Sequence, residues 1–139
     1  MQNLNRLFAN KEFVYSSRNH KIAKYILSRI ENFENGLVID DEKITLDHIL
    51  PDNPDETWDW EDIKLQQNHY RLRNMVLLEY VKNKNLGNAS FTENKTAYAQ
   101  SSIPSTKKLG ESEILEWTEN KINKRQQKLA KKALGIWKF

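Results

Sequence analysis

The sequence predicts an α+β fold, with a small two-stranded element inside a mostly helical domain. Three observations support this prediction. Apolar residues follow a helical period from Ser17, two short extended runs occupy the middle, and a seven-residue apolar repeat runs toward the C-terminus. Because the chain has 139 residues, it is long enough for one domain with its own core.

Composition excludes several classes of protein. The chain is 38% hydrophobic with a mean hydropathy of −0.81, and no window approaches the ~18 consecutive apolar residues that a membrane span needs. The N-terminal residues lack the apolar core of a signal peptide, so we expect a cytoplasmic protein with no membrane partner. There are no cysteines, which excludes disulfides and thiolate metal sites. Any metal must therefore be held by oxygen or imidazole.

Charge is distributed unevenly along the chain. The formal net charge is +3, made up of +5 over residues 1–30, −9 over 31–81 and +7 over 82–139. Two basic flanks around an acidic middle could form a cationic surface that carries a pocket of oxygen ligands. The same charges could equally belong to solvated helix faces, and charge alone does not decide between the two.

The N-terminal part is predicted to hold one long helix. Residues 1–16 form an extension, and a helix over 17–36 follows, which Asn35-Gly36 ends. Its apolar seam consists of Ala23, Ile26, Leu27, Ile30 and Phe33.

Residues 37–100 are predicted to form the core of the domain from shorter elements. These are an extended run over 37–50, a polar loop over 51–70 with a short helix near Trp60, a strand over 75–80, a loop or fraying helix over 83–88 and a short helix over 91–100.

A long amphipathic helix is predicted within the C-terminal part, residues 105–139. From about Glu111 to Trp137 the apolar residues recur every seven positions, and Ser112 could cap the helix. Its stripe consists of Leu115, Ile122, Leu129 and Ile136. Most of the basic residues between them are expected to form a solvated face, whereas Arg125 and Lys128 would contact phosphate if a nuclease site lay nearby.

Four polar residues in the middle of the chain suggest chemistry. Asp47 and His48 stand side by side at the end of an extended run, shortly before Pro51. Neighbouring residues on a strand point to opposite faces, but a strand end can let both address one site. Asn74 and Asn83 bracket the next apolar run, although Asn is depleted from strands.

Phosphodiester hydrolysis explains why these residue types would gather. The reaction needs a base whose pKa lies near the working pH, and histidine has an unperturbed value of ~6.5. It also needs a cation beside the scissile phosphate, and Mg²⁺ (or Mn²⁺) prefers the carboxylate and amide oxygens that Asp47 and Asn83 offer.

At these residues the chain resembles a known family. Asp47-His48-Ile49-Leu50-Pro51, followed by two asparagines nine positions apart, resembles the HNH (His-Me finger, ββα-metal) nuclease motif. The wider pattern is similar to the C-terminal domain of GmrSD-type modification-dependent restriction endonucleases, and the similarity covers about residues 17–137. The matching segments are DHILP at 47–51, NMVLL at 74–78, Asn83, the Phe-x-x-x-Lys-x-x-Tyr-x-x-Ser helix at 91–101, and residues 125–137.

The resemblance implies a role for each site residue. His48 would polarise water as the catalytic base, and Asp47 and Asn83 would hold a single divalent metal. Asn74 would brace the loop that carries His48. Lys95 would contact phosphate or the charge of the transition state.

Basic residues near this motif are expected to contact nucleic acid. Relatives usually have Gly before the first Asn, where this chain has Arg73, which could alter the turn or add a phosphate contact. Lys84 is a second candidate beside the motif. The remaining histidines, His20 and His69, have no recognisable partner and are treated as incidental.

The four tryptophans are most simply packing residues. Of these, Trp58 or Trp60, in the polar loop, could instead stack on a base.

The resemblance thus implies a small ββα-metal core and a DNA endonuclease of prokaryotic restriction or anti-phage defence that leaves 5′-phosphate and 3′-hydroxyl ends. It also implies a nucleotide-binding domain or partner subunit outside this chain, whether the chain is an excised C-terminal domain or a short protein. Two alternatives stay open: an inactive nucleic-acid-binding or scaffolding domain with this fold, and a nuclease that acts on RNA.

Overall fold

Two antiparallel strands lie between two groups of helices. The computed structural model describes residues 16–51, 53–84, 86 and 90–137. Within them the strands are β1 (Ile44–His48) and β2 (Met75–Glu79), and the helices are α1 (Ser17–Asn35), α2 (Asp62–Asn68), α3 (Tyr80–Asn83), α4 (Phe91–Ala99), α5 (Pro104–Glu111) and α6 (Glu119–Ile136). The predicted α+β class is confirmed. The N-terminal extension lies largely outside the described residues.

The strand register gives the sheet two different faces. Pairing runs from Ile44 opposite Glu79 to His48 opposite Met75. Since side chains alternate along a strand, Ile44 and Leu46 point to one face while Thr45 and Asp47 point to the other. The first face packs against apolar residues of α1 and α6. The second packs against a cluster that includes aromatic residues of α4 and of the loops.

The predicted boundaries of α1 are confirmed by its caps. The Ser16 hydroxyl accepts a hydrogen bond from the backbone N–H of Asn19 at 3.1 Å. At the other end Gly36 has φ +70°, the left-handed conformation that favours glycine, and its N–H reaches the carbonyl of Asn32 at 2.9 Å. The buried residues Ala23, Leu27 and Ile30 come from the predicted seam.

The C-terminal helical part differs from the prediction. A separate helix, α5, begins with Pro104 at its first turn, and Ser112 is the residue that ends it. The last helix starts only after Thr118, whose hydroxyl accepts from the N–H of Lys121 at 3.3 Å. Leu115 therefore lies in the connection, where its side chain is 83% exposed. Of the rest of the stripe, Ile122 and Leu129 are buried, and Ile136 is half-buried and packs against the same core.

The short elements of the middle follow the prediction in part, because the extended run over 37–50 shortens to β1 and the helical turn predicted within 83–88 lies earlier, from Tyr80. A helix lies near Trp60 as α2, with a single 3₁₀ turn at Glu56–Trp58 before it. The second strand ends at Glu79, and one helical turn, α3, leads to Asn83. Within the described residues, no helix has both the length and the apolar character needed to cross a bilayer.

Substitution of a glycine where α4 packs against α5 can test the fold. A methyl group at Gly110 would lie 2.1 Å from the backbone nitrogen of Ala99, whereas one at Gly135 would meet the Phe33 ring at an ordinary 3.5 Å. We expect Gly110→Ala to lower the free energy of unfolding by about 1–3 kcal/mol or more, because backbone must move.

The matched control is Gly135→Ala. Alanine is favoured over glycine inside helices by up to about 1 kcal/mol, so this variant should be neutral or slightly more stable. Urea unfolding followed by circular dichroism measures both. Equal stability of the two variants would contradict the close approach of α4 and α5.

Candidate functional site

The structure brings Asp47 and Asn83 to one side of β1. Thr45 and Asp47 share a strand face, and the Asn83 side-chain amide nitrogen Nδ2 donates to the Thr45 hydroxyl at 2.8 Å. The same nitrogen lies 3.4 Å from the Leu46 carbonyl oxygen. Because both of these contacts use the nitrogen, the amide oxygen Oδ1 is the atom of Asn83 that is suited to a cation.

The Asp47 carboxylate is half-buried and lies against Tyr98. The Tyr98 hydroxyl donates a hydrogen bond to Asp47 Oδ2, and the tyrosine ring is 0% exposed. Burial raises the pKa of Asp47 to about 6, although the Tyr98 hydrogen bond opposes the shift. Burial and the neighbouring Asp47 charge raise the pKa of Tyr98 well above its usual range. Tyr98 is thus a core residue that also holds the Asp47 carboxylate.

The surroundings of Asp47 suit a divalent cation. Over the described part of the chain, no lysine or arginine forms an ion pair with this carboxylate. Among those residues no positive charge pairs with this half-buried carboxylate, and a cation would supply one. Among the same residues no three His, Asp or Glu side chains cluster as a metal site. A cation held by one carboxylate and one amide oxygen would keep several coordination positions for water and substrate, as Mg²⁺ prefers.

Asn74 holds the loop that follows His48. Its side-chain oxygen accepts from the N–H of Leu50 at 2.9 Å and from the indole N–H of Trp117 at 3.1 Å. Its amide nitrogen donates to the carbonyls of Leu50 and His69, both at 3.0 Å. The Asn74 backbone carbonyl also accepts from Ile49 N–H at 2.8 Å. The side chain is fully buried, so its position agrees with the predicted bracing role.

A second asparagine supports the same loop. Asn94 of α4 is buried, and its amide nitrogen donates to the Ile49 carbonyl at 3.2 Å. Asn94 was not among the site residues predicted from the sequence. Its spacing of three residues after Phe91 and four before Tyr98 places it on the buried face of α4, which is a signal that could have identified it.

His48 lies within a group of aromatic rings. Its ring stacks on that of His69, with centroids 4.7 Å apart and planes inclined by 23°. Tyr70 meets both rings edge-on, at 5.9 Å from His48 and 4.4 Å from His69. His69, treated as incidental from the sequence, is therefore a direct neighbour of the expected catalytic base. The Asp- and Pro-containing loop that separates the two histidines in sequence hid this contact.

Lys95 points toward backbone rather than open solvent. Its ammonium group donates to the carbonyls of Ser112 and Ile114, at 2.5 and 2.7 Å. These bonds tie α4 to the connection between α5 and α6. The predicted contact of Lys95 with phosphate would require the side chain to leave both carbonyls.

The two arginines expected to contact nucleic acid have inward contacts. Arg125 donates to the carbonyls of Arg73 at 2.9 Å and Leu72 at 3.4 Å, and burial lowers its pKa to about 10. Arg73 donates to the side-chain oxygen of Asn68 at 2.8 Å. By contrast, Lys84 and Lys128 are exposed, and their contacts with nucleic acid stay predictions.

Tryptophan packing completes the surroundings of the site. Trp58 is 7% exposed and packs against Phe91, which also stacks on Trp117 at 5.6 Å. The Trp60 indole donates to the Trp117 carbonyl at 2.9 Å. These contacts agree with packing roles and hold Trp117 where it reaches Asn74.

Removal of the Asn74 amide should strongly destabilise the domain. Asn74→Ala would leave two buried donors and two buried acceptors without this partner, at about 1–3 kcal/mol for each group not re-paired. We expect a loss of about 3 kcal/mol or more in the free energy of unfolding, measured by urea denaturation. Asn123→Ala, an exposed position on α6, is the control and should change stability by less than about 0.5 kcal/mol. A mild effect of Asn74→Ala would contradict the bracing role.

Burial of Asp47 should make its ionisation costly. The pKa rises from 3.8 to about 6 on folding, so the stability that this group contributes is complete below pH ~4 and is lost as pH rises through ~6. In metal-free buffer at about pH 7.5, Asp47→Asn should therefore stabilise the domain by up to about 3 kcal/mol. The gain should vanish near pH 4. Thermal unfolding at both pH values measures it, and an unchanged or lower melting temperature at the higher pH would count against the half-buried charge.

The chain matches a known protein family over nearly its whole length. Curated proteins give no match to the chain. The model of the family described as GmrSD restriction endonucleases, C-terminal domain, matches residues 1–132, which is nearly the whole chain. The chain therefore belongs to the family of C-terminal domains of GmrSD restriction endonucleases.

Proposed function

We propose that this domain is a metal-dependent endonuclease of the HNH type that hydrolyses DNA. The observation that carries the proposal is the grouping of four polar residues around β1 and the loop that follows it. Asp47 and His48 end the strand, Asn83 bonds the same strand on the Asp47 face, and Asn74 fixes the loop beyond His48. Membership of a restriction endonuclease family supports the same class of reaction.

The proposed cation would be held by Asp47 and Asn83. Both offer hard oxygen atoms, and the half-buried carboxylate favours a positive charge beside it. When bound, Mg²⁺ or Mn²⁺ neutralises phosphate charge and stabilises the departing oxygen. An amide ligand adds no negative charge, which suits a substrate that is already anionic.

His48 would act as the general base. It removes a proton from the attacking water as the water oxygen bonds to phosphorus and the bond from phosphorus to the 3′ oxygen breaks. The products are a 5′-phosphate and a 3′-hydroxyl, and the 3′ oxygen takes up a proton. His48 is half-buried, and its stacked neighbour limits the orientations of its ring.

The remaining residues would hold His48 and Asp47 in the orientation that the reaction needs. Asn74 and Asn94 fix the backbone of residues 49 and 50, directly after His48, and Tyr98 fixes the carboxylate of Asp47. Pre-organised geometry of this kind lowers the barrier because the groups need no rearrangement when the reaction occurs. Exposed lysines such as Lys84 and Lys128 would contact the phosphate backbone of the nucleic acid.

Cleavage of plasmid DNA tests the proposal. The wild-type protein is incubated with unmodified and base-modified plasmids in Mg²⁺, in Mn²⁺ and with EDTA. We expect nicking that EDTA abolishes and that His48→Ala reduces by about 10²-fold or more, because proton transfer is lost. Asp47→Ala and Asn83→Ala should also lose activity, with partial recovery at higher metal concentration.

His20→Ala is the matched control, because His20 lies on α1, outside the residues proposed for the site. It should retain wild-type cleavage. Labelled RNA of the same sequence, run in parallel, identifies the preferred nucleic acid. Equal nicking by the wild type and His48→Ala would refute the proposal. Metal-dependent binding of DNA without any cleavage would also refute it.

A further inference from the structure

His69 is held in place from three directions. It ends α2, where its N–H donates to the Leu65 carbonyl at 2.9 Å. Its own carbonyl accepts from the Asn74 amide at 3.0 Å. Its ring nitrogen Nδ1 lies 2.9 Å from the Leu50 carbonyl oxygen, and the residue is only 5% exposed. His69 is therefore a fixed part of the interior.

The Leu50 contact determines how the His69 ring is protonated. A carbonyl oxygen can only accept, so Nδ1 must carry the proton of this hydrogen bond. That bond fixes the rotation of the ring as well as its position. The flat face that His69 presents to His48 is consequently set by backbone atoms of the Asn74-braced loop.

This fixed face lies against the ring of His48. The two imidazole rings are nearly parallel, with their centroids 4.7 Å apart, and Tyr70 meets the His48 ring edge-on. A half-buried histidine at a strand end can otherwise adopt several rotamers, and only some of them direct a ring nitrogen at the substrate. Stacking on a rigid neighbour removes most of these alternatives before substrate binds.

We propose that His69 is a positioning residue that holds the His48 ring in its working orientation. This inference rests on the proposed function, because it assigns the base of that reaction its support. His69 itself does not touch the reacting atoms. Loss of His69 should therefore change the turnover rate and leave the affinity for DNA nearly unchanged.

Steady-state cleavage of a labelled DNA duplex in Mg²⁺ tests the proposal. His69→Ala should lower kcat by about 10–100-fold, as loss of an outer supporting contact typically does, while KM changes by less than about twofold. His69→Phe restores a flat ring without the Leu50 hydrogen bond and should recover much of the lost kcat. His69→Gln offers a donor but no ring and should resemble alanine, which separates the stack from the hydrogen bond. His20→Ala is again the control.

A spectroscopic measurement distinguishes positioning from general destabilisation. The chain has three histidines, so their ring protons can be assigned from single substitutions. Loss of the His69 ring current should move the His48 ring resonances in the metal-free, folded His69→Gln and His69→Ala proteins, and less in His69→Phe. If the alanine variant does not fold, the glutamine variant supports the same comparison.

Two results would overturn the inference. One is a folded variant without a ring at position 69 that retains wild-type kcat. The other is a loss of kcat while the His48 resonances stay unchanged. Failure of the proposed function looks different, because His48→Ala would then cleave like wild type while the ring resonances still report the stack.

Discussion

The side chain of Asn74 is the constraint on which the site depends. A primary amide has two donor hydrogens and an acceptor oxygen, and here all are used inside the protein. Its partners come from the loop after β1, the end of α2 and the segment before α6. One buried group thus sets the relative positions of three parts of the chain that are distant in sequence. Alternative packings of these segments would leave buried polar groups without partners, and that cost favours a single arrangement.

The same site works against stability in one place. Among the described residues the half-buried Asp47 carboxylate forms no ion pair, which is unfavourable for folding, and the Tyr98 hydrogen bond partly offsets this cost. Such a cost is reasonable where a cation is needed, because the binding of that cation then recovers it. Asn74 and Asn94 therefore stabilise the loop that directly follows the strand in which the ionised Asp47 carboxylate is unfavourable.

Local sequence patterns predicted much of the fold, because caps and periodicity act over a few residues. The end of α1 at Gly36 and the pairing of two strands around Asp47 and Asn74 follow from such patterns. The break between α5 and α6 did not, since the apolar repeat through Leu115 looks continuous while the Thr118 cap interrupts it. The contact of His69 with His48 depends on a loop path between them, which no local pattern specifies.

The inward contacts of α6 and the segment before it affect how the domain could be moved between proteins. Trp117 donates to Asn74, and Arg125 donates to the carbonyls of residues 72 and 73, so the last helix and the segment before it pack against the residues that support the proposed site. A transplanted module that stopped after α5 would contain the expected metal ligands and the expected general base. It would lack Trp117 and the last helix, which pack against the residues that support them. The smallest portable unit therefore extends through the last helix, and chimaeric enzymes should be joined outside it.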